Sequence, residues 1–471
     1  VAHAQEGGDV SVGQGGFDVV LGNPPWERIK LQEQEFFAGH PVAEEANTAA
    51  RTRAITRLAE APEGSPDRKL YEAFQIAKRI AEATSTFARV PGDNGGRYHY
   101  TGTGDVNTYA LFSEHFLNLT RDGGGAGLIV PTGIAIDSTF APFFGYLVDT
   151  QRLAGLIDFE NRERLFADVD SRMKFCLLTI GSGVADAEFS FFLTDPTQLE
   201  QAERRFTLSP AQIARINPNT KTAPVFRARR DAELTATIYD RVPVLIEDGK
   251  GPDGNPWGFD YMTKMFDMAD SSHLFRTATQ LVSEGFVEQG TDWVQDTGIR
   301  YVPLYEAKMI HHFDHRWATY EGDSSRDVTL DEKKDYRFEP RPRYWLDGSL
   351  ARSRQRSKDW SKGWLMGWRD ITNATNERTA IFSVYPAFAI AHTVRNLFLR
   401  QAVDVAAGFI ANLSSLPLDF VARQQVGGTH LTVETVKQFP ILPPSAYDEA
   451  ALAFIVPRVL ELTYTSHSMT P

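Results

Sequence analysis

The residues best suited to chemistry form a short stretch near the start of the chain, Asn23-Pro24-Pro25-Trp26. Because each proline lacks a backbone N–H donor and has a fixed φ angle, the chain must turn here, and the turn is rigid. The side-chain carbonyl of Asn23 and the backbone carbonyls of the two prolines offer acceptors for the hydrogens of an exocyclic amine, and they would stabilise positive charge on its nitrogen. Trp26 adds a flat face for a planar ring, a contact worth about 1–3 kcal/mol for a nucleic-acid base.

The residues before this stretch predict where it lies. Residues 16–21 form an apolar run bounded by glycines, which is typical of a short buried strand. Ligand sites of α/β folds lie at the carboxyl ends of such strands. A base inside a DNA duplex cannot reach a site of this kind, so it would have to be flipped out of the helix. The alternative is a structural turn with a packed tryptophan.

Helices and apolar strands alternate along the first part of the chain, which predicts an α/β sheet. Two strands with only a short excursion between them, 153–159 and 173–181, are expected to be antiparallel. We expect Gly123 to Gly127 to end the helix predicted at 106–120, ahead of a strand at 128–130. Beyond about residue 200 the segments shorten and Gly, Pro and Trp become frequent, which indicates a second, mixed domain. A helix is expected around 447–462.

Composition excludes several classes of protein. With 42% hydrophobic and 23% charged residues, the 471-residue chain can form a packed core. No run of 18 apolar residues predicts a transmembrane helix, so we expect no membrane partner. The lone cysteine, Cys176, excludes a disulfide framework or a multi-cysteine zinc site and fits the reducing cytoplasm. The net charge of −12 argues only weakly against a nucleic-acid partner, because a local patch matters more.

One local patch is basic. Within residues 341–370, tryptophans 345, 360, 364 and 368 are interleaved with cationic side chains, as a DNA-backbone contact requires. The alternative is a solvated loop beside a tryptophan-rich core. The candidate DNA-binding residues are Arg341, Arg343, Arg352, Arg354, Arg356, Lys358, Lys362 and Arg369.

Asn-Pro-Pro-Trp after Phe-Asp-Val-Val-Leu-Gly resembles the catalytic motif of amino-methylating DNA methyltransferases, especially the adenine-N6 class that uses S-adenosylmethionine. Residues 104–112, 127–133 and 159–175 resemble later elements of type IIG restriction–modification and phage-defence methylases. The resemblance implies a partial Rossmann-like class I methyltransferase sheet with a helical insertion at about 30–100, followed by a mixed α+β target-recognition domain. Its implied limits are 1–195 for the catalytic part, 196–445 for recognition and 446–471 for the start of a further helical segment.

The same resemblance implies roles for individual residues. Asn23 and Pro24, with Pro25 in the same loop, would hold the adenine amine, and Trp26 and Phe166 would sandwich the base. The implied contacts with S-adenosylmethionine are Asn107, Tyr109 and Phe112. Ordinary packing is the alternative for Phe166 and for these three. Residues 301–311, 368–378 and 420–430 resemble the family's recognition region, which implies double-stranded DNA and further restriction or defence subunits as partners.

One departure from the family concerns the cofactor. The family's strand and Gly-rich loop that hold the methionine part precede the Asn-Pro-Pro-Trp motif, and only 22 residues precede Asn23 here. Residues 13–16 are no substitute, because they enter a strand instead of leaving one for a helix. We therefore expect a fragment that binds cofactor poorly or not at all, with any nuclease domain in earlier sequence.

Two other functions stay open: methylation of a protein glutamine, which uses a similar loop, and a non-catalytic DNA-specificity module. Other motifs are expected to be structural. Asn255-Pro256-Trp257 and Gly123 to Gly125 should be turns, and Cys176 should be core. His311, His312 and His315 should be structural or DNA-facing, and no metal site is expected.

Overall fold

The computed structural model describes residues 15–45, 48–426 and 428–470, and the chain divides into two compact units, Val1–Ala232 and Glu233–Pro471. The boundary expected at residue 195 lies later, because residues 206–208 add a last strand to the sheet of the first unit. Gly13 and Gln14 of the glycine-rich start lie outside the described residues.

The first unit is an α/β structure built on a six-stranded mixed sheet, as the alternation of elements predicts. The sheet order is β1-β2-β4-β3-β5-β6, with β1 parallel to β2, β3 parallel to β5, and the other neighbours antiparallel. The predicted antiparallel pairing of β3 with β4 is therefore confirmed. The strands are β1 Phe17–Gly22, β2 Thr120–Pro131, β3 Leu153–Glu160, β4 Lys174–Ile180, β5 Ala187–Leu193 and β6 Phe206–Leu208.

The prediction for the glycine run was wrong. Gly123 to Gly127 do not form a turn but lie inside β2, where Gly125 is in register with Val19 of β1. A Cβ atom on Gly124 would lie only 2.8 Å from the backbone oxygen of Asp18. Glycine is thus needed for close approach of β1, a contact between distant segments that local sequence does not reveal.

The helices of the first unit follow the predicted spacing. The helices are α1 Glu33–Phe36, α2 Thr48–Ala59, α3 Pro66–Ala88, α4 Thr108–Leu119, α5 Gly133–Ile136, α6 Ala141–Asp149 and α7 Pro210–Ile216. The longest, α3, begins at Pro66 and is capped by Ser65, whose side chain accepts from the Arg68 N–H. Phe37, Leu58 and Phe74 form a small separate core between α2, α3 and the chain before them.

Burial is uneven across the sheet. Leu156 of β3 and Leu178 of β4 are fully buried. One face of β1, in contrast, carries three exposed apolar side chains, with Phe17, Val19 and Leu21 accessible to 43%, 63% and 75%. The strand expected at residues 16–21 is thus present, but the prediction that it is buried was wrong. None of the residues of β1 is buried, because β1 is the edge strand of the described sheet.

The second unit is a mixed α+β structure, as predicted. Its sheets have the orders β13-β10-β9-β8, with β16 beside β10, then β11-β12, and β15-β14-β17-β7. The strands are β7 Asp260–Met262, β8 Val287–Gln289, β9 Asp292–Val294, β10 Arg300–Tyr305, β11 Ala318–Glu321, β12 Ser324–Asp327, β13 Trp345–Asp347, β14 Trp364–Arg369, β15 Phe382–Pro386, β16 Ala389–Ile390 and β17 Val394–Phe398.

Helices alternate with these strands along the chain, and the predicted terminal helix is present as α15. The helices are α8 Arg229–Arg241, which contains the unit boundary, α9 Ala278–Ser283, α10 Leu330–Lys334, α11 Gly348–Arg356, α12 Val403–Leu413, α13 Leu416–Gln425, α14 Val433–Lys437 and α15 Glu449–Thr463. Among the described residues, no single helix is long and apolar enough to cross a membrane; only α12 and α13, bent by 60° between them, meet that criterion as a pair.

A buried carboxylate fixes the loop that leads into α4. Glu114 on α4 is 1% exposed, and it accepts hydrogen bonds from the backbone N–H groups of His99, Tyr100 and Thr101 and from the Thr101 hydroxyl. Three backbone donors of this loop thus depend on one side chain, because buried N–H groups need an acceptor.

Replacing this side chain should destabilise the first unit. Glu114→Ala leaves three N–H groups without their acceptor, so we expect the free energy of unfolding to fall by about 3 kcal/mol in urea denaturation. Glu82→Ala on the exposed side of α3 is the control and should change stability by less than about 0.5 kcal/mol. Equal effects of the two substitutions would contradict this role of Glu114.

Candidate functional site

The Asn-Pro-Pro-Trp loop lies at the carboxyl end of β1, next to the carboxyl end of its parallel neighbour β2. Asn23 and Pro25 are exposed, Pro24 is buried and Trp26 is partly buried. The predicted placement of the loop directly after the strand is confirmed. Open α/β sheets bind ligands at the carboxyl ends of their strands, which is where this loop lies.

A short antiparallel pairing holds the loop to the start of α4. The Thr108 hydroxyl donates to the Pro25 carbonyl at 2.7 Å, and the Glu27 N–H lies 3.0 Å from the same hydroxyl oxygen. Backbone bonds from Thr108 N to the Glu27 oxygen and from Ile29 N to the Val106 oxygen continue the pairing. Sequence reasoning did not single out Thr108, since its importance comes from a partner 83 positions away.

This pairing determines which acceptors stay available. The Pro25 carbonyl already has a donor, whereas no hydrogen bond within the described part of the chain reaches the Pro24 carbonyl or the Asn23 side chain. The loop therefore presents two oxygen acceptors, one from a side chain and one from the backbone. Such a pair can hold the two hydrogens of an amino group.

Trp26 is fixed by an aromatic cluster. Its indole N–H donates to the Ile129 carbonyl at 3.2 Å, and its ring centroid lies 6.1 Å from that of Phe175. Phe166 contacts it edge to face, with ring centroids 6.0 Å apart and planes at 79°. The structure thus brings together Trp26 and Phe166, but in mutual contact, so no planar ring fits between them in this conformation.

The three residues expected to face the cofactor lie on or beside α4. The Asn107 amide donates to the Asp105 carbonyl at 2.7 Å. Tyr109 is buried against Phe140, and burial, with the nearby Asp137 charge, raises the pKa of its hydroxyl well above the usual value. Phe112 is 40% exposed and packs against Phe116. Of the three, Phe112 is the most accessible side chain.

A buried acid that the sequence analysis missed lies beside the site. Asp158 of β3 is 2% exposed, accepting from the Thr132 hydroxyl at 2.5 Å and from the Phe192 N–H at 3.0 Å. Burial raises the pKa of this carboxyl despite both hydrogen bonds. Phe192 has a φ of 59°, so Asp158 supports a strained backbone. The sequence signal that could have identified Asp158 is its position as an acidic residue inside the apolar strand predicted at 153–159.

The basic stretch of the second unit does not form one continuous surface. Several of its cations have partners far away in sequence: Arg341 with Glu288, Arg343 with Glu306, Lys358 with Asp260, and Arg369 with the Ile310 carbonyl. Burial lowers the pKa of Arg369 to about 10. Trp345, Trp360 and Trp368 are at most 5% exposed, so these three are core side chains and not stacking platforms.

Arg341 is exposed but paired with Glu288, and the exposed cations of this stretch without an acidic partner among the described residues lie on α11. Arg352, Arg354 and Arg356 are exposed, and Arg352 and Arg356 are one helical turn apart, so they share a face. Lys362 is partly covered, because its ammonium group lies 4.7 Å from the Trp360 ring centroid and 5.0 Å from that of Trp364. The candidate surface for DNA is therefore reduced to one face of α11.

The three segments that resemble a recognition region meet in the second unit. Ile371 pairs with His430, and the His430 Nδ1 atom lies 3.0 Å from Asp370 Oδ2. Arg369 connects this pair of segments to the third, because its Nε atom donates to the Ile310 carbonyl at 2.8 Å. Segments about 60 residues apart in sequence thus form one local structure.

Of the two motifs expected to be turns, only Asn255-Pro256-Trp257 is one, because Gly123 to Gly125 lie in β2. The Asn255 side chain bonds both the N–H and the carbonyl of Phe259, and Trp257 is fully buried, which confirms a turn. His315 is fully buried beside Ser466, and burial lowers its pKa to about 3. Within the described residues, no group of three His, Cys, Asp or Glu side chains could hold a metal ion. Cys176 is buried, and burial raises the pKa of its thiol.

No protein-family model and no curated protein matches the chain. Among solved structures, it is similar to the type IIL restriction-modification enzyme MmeI in complex with DNA (10% identity, 96% of this chain and 52% of that one, TM-score 0.38). It is also similar to the type IIG restriction endonuclease BpuSI (14% identity, 77% of this chain and 45% of that one, TM-score 0.30). A third similar structure is a type I restriction-modification methyltransferase subunit from Streptococcus thermophilus (12% identity, 47% of this chain and 39% of that one, TM-score 0.25). The chain spans 39–52% of the lengths of these three proteins.

Removing the Thr108 hydroxyl should loosen the loop. Thr108→Val keeps the side-chain shape but leaves the Pro25 carbonyl without its donor, so we expect a loss of about 1 kcal/mol in the free energy of unfolding of the first unit. Thr86→Val is the matched control, because its hydroxyl donates to the Glu82 carbonyl on the exposed side of α3. If both variants unfold at the same urea concentration, Thr108 does not support the loop.

Proposed function

We propose that this chain carries the methyl-acceptor site of a DNA adenine-N6 methyltransferase of a restriction or phage-defence system, followed by a DNA-recognition unit. The observation that supports this most is the pair of acceptors at the end of β1. The Asn23 side chain and the Pro24 carbonyl have no donor within the described residues, while the neighbouring Pro25 carbonyl is bonded to Thr108. The motif resemblance supplies the class of substrate.

The acceptor residues have distinct tasks in this reaction. The Asn23 oxygen and the Pro24 carbonyl hold the two hydrogens of the adenine amine and so direct its nitrogen lone pair outward. As positive charge develops on the nitrogen, the same two dipoles stabilise it without having to reorient. Trp26 provides the face against which the base stacks after it has left the duplex. The rigid proline turn keeps these groups in place.

S-adenosylmethionine is the methyl donor that this proposal requires. Two of the residues expected to contact it do not fit this role, because Tyr109 is buried in the core and the Asn107 amide is bonded to the Asp105 carbonyl. We therefore assign the described residues the acceptor side of the reaction only.

The catalytic assignment of Asn23 is tested in cells that carry the gene encoding this chain. Asn23→Ala should abolish N6-methyladenine in their DNA, as read by single-molecule sequencing, and should leave duplex binding within about twofold of the original. The reason is that Asn23 contacts only the flipped base in this proposal.

The matched control is Asn255→Ala, which removes the asparagine of the Asn255-Pro256-Trp257 turn in the second unit. It should retain methylation. Methylated adenine that persists in Asn23→Ala cells would contradict the assignment, and methylated glutamine in a protein, in place of methylated DNA, would favour the alternative substrate.

The DNA-binding face of α11 is tested by salt dependence. Arg352→Ala with Arg356→Ala removes two exposed charges, so we expect the slope of log binding constant against log salt to fall by about 2 for a duplex of mixed sequence. The control is Lys250→Ala with Lys334→Ala, which removes two charges that are paired with Glu247 at 2.9 Å and Asp331 at 2.8 Å. An unchanged slope in the arginine variant would remove α11 from the interface.

A further inference from the structure

Asn161 organises the excursion between β3 and β4 with a single buried side chain. The residue is fully buried and follows β3 directly. Its Oδ1 atom accepts from the Phe166 N–H at 3.0 Å, and its Nδ2 atom donates to the carbonyls of Phe166 and Val169, each at 2.9 Å. Its own N–H donates to the Met173 carbonyl and closes the base of the excursion.

Few side chains of the excursion are buried. Arg162, Glu163, Leu165, Ala167 and Asp168 are exposed, and apart from Asn161 only Phe166, Val169 and Ser171 are partly buried between residues 161 and 173. Arg164 has a φ of 53°, a left-handed conformation that is uncommon for an arginine. Three backbone bonds and an Arg172–Asp170 pair also lie within the excursion. The Asn161 side chain, however, is the buried group that bonds both the N–H and the carbonyl of Phe166.

Those bonds hold the backbone of Phe166, and Phe166 covers Trp26. Both the N–H and the carbonyl of Phe166 are bonded to the Asn161 side chain. The Phe166 ring lies 6.0 Å from Trp26 and 4.9 Å from Phe175, edge to face in both cases. An inserted ring needs a centroid separation of roughly 4.5–7 Å from each neighbour, so Phe166 must move before a base can lie between it and Trp26.

We propose that Asn161 is a positioning residue that holds Phe166 over Trp26 and thereby controls the entry of a planar ring to the Asn23 loop. Asn161 does not touch the ring itself; it acts through the Phe166 backbone. The role in base entry rests on the proposed function, whereas the control of the Phe166–Trp26 contact does not.

Trp26 is a suitable reporter, because it is the only tryptophan in residues 1–232 and the other seven lie in the second unit. The protein is labelled with 5-fluorotryptophan, and Trp26→Phe assigns the fluorine resonance. Phe166→Ala defines the uncovered state, since it removes the ring current of Phe166. In Asn161→Ala, we expect the Trp26 resonance to move most of the way to its position in Phe166→Ala, with the other seven unchanged.

Hydrogen exchange provides a second readout, and two further variants guard against misfolding. Amides of residues 162–172 should exchange at least tenfold faster in Asn161→Ala, because Phe166 N–H loses its acceptor.

Asn161→Asp keeps an acceptor but loses both donors and should give an intermediate resonance shift. Asn255→Ala removes a similar side-chain bond pair, to Phe259, in the second unit and should leave Trp26 unchanged. An unmoved Trp26 resonance in a folded Asn161→Ala protein would overturn the proposal.

The link to base entry is tested with a single-stranded DNA oligonucleotide that contains 2-aminopurine, whose fluorescence falls on stacking. Because both substitutions uncover Trp26, Asn161→Ala and Phe166→Ala should each raise the rate of quenching about tenfold, and the double variant should be no faster than Phe166→Ala, since Asn161 acts only through Phe166. Additive gains would show an independent role and contradict the proposal. If neither the unchanged protein nor Phe166→Ala quenches the probe, the proposed function fails, while the fluorine spectrum still decides whether Asn161 holds Phe166.

Discussion

The two prolines after β1 impose the constraint on which the candidate site depends. They remove two N–H donors at the end of a strand, so the chain cannot continue in the sheet and its carbonyl groups need other partners. Thr108 supplies one, for the Pro25 carbonyl, and the backbone of residues 27–29 pairs with residues 106–108. The Pro24 carbonyl and the Asn23 side chain accept no hydrogen bond within the described part of the chain, so they remain available as acceptors.

The sequence predicted those parts of the fold that are encoded locally. The strand at 17–22, the turn after it, the helix at 108–119 and the antiparallel pair β3 and β4 all follow from hydrophobic periodicity and proline positions. The prediction of a turn at the glycine run was wrong because its conformation is set by the approach of β1, about 100 residues earlier. The predicted unit boundary was too early because β6, with three residues, is too short to leave a periodic signal.

Side-chain partners were the least predictable part of the site. The basic stretch looked continuous in sequence, yet Arg341 and Lys358 pair with Glu288 and Asp260, acids more than 50 positions away. Asn161 gave no signal, because a polar residue at a strand end is ordinary until its hydrogen bonds to the following loop are seen. Charge patterns and motifs identify candidate residues, whereas the tertiary structure decides which of their groups remain available to a ligand.

The exposed face of β1 has a consequence for how the chain behaves in solution. Phe17, Val19 and Leu21 present apolar surface on a strand that also lies at the edge of the described sheet. Edge strands with exposed apolar side chains are templates for pairing with strands of other molecules. The strand that carries the acceptor loop thus also exposes apolar surface, and a strand of another molecule that pairs with this edge would lie a few residues from Asn23.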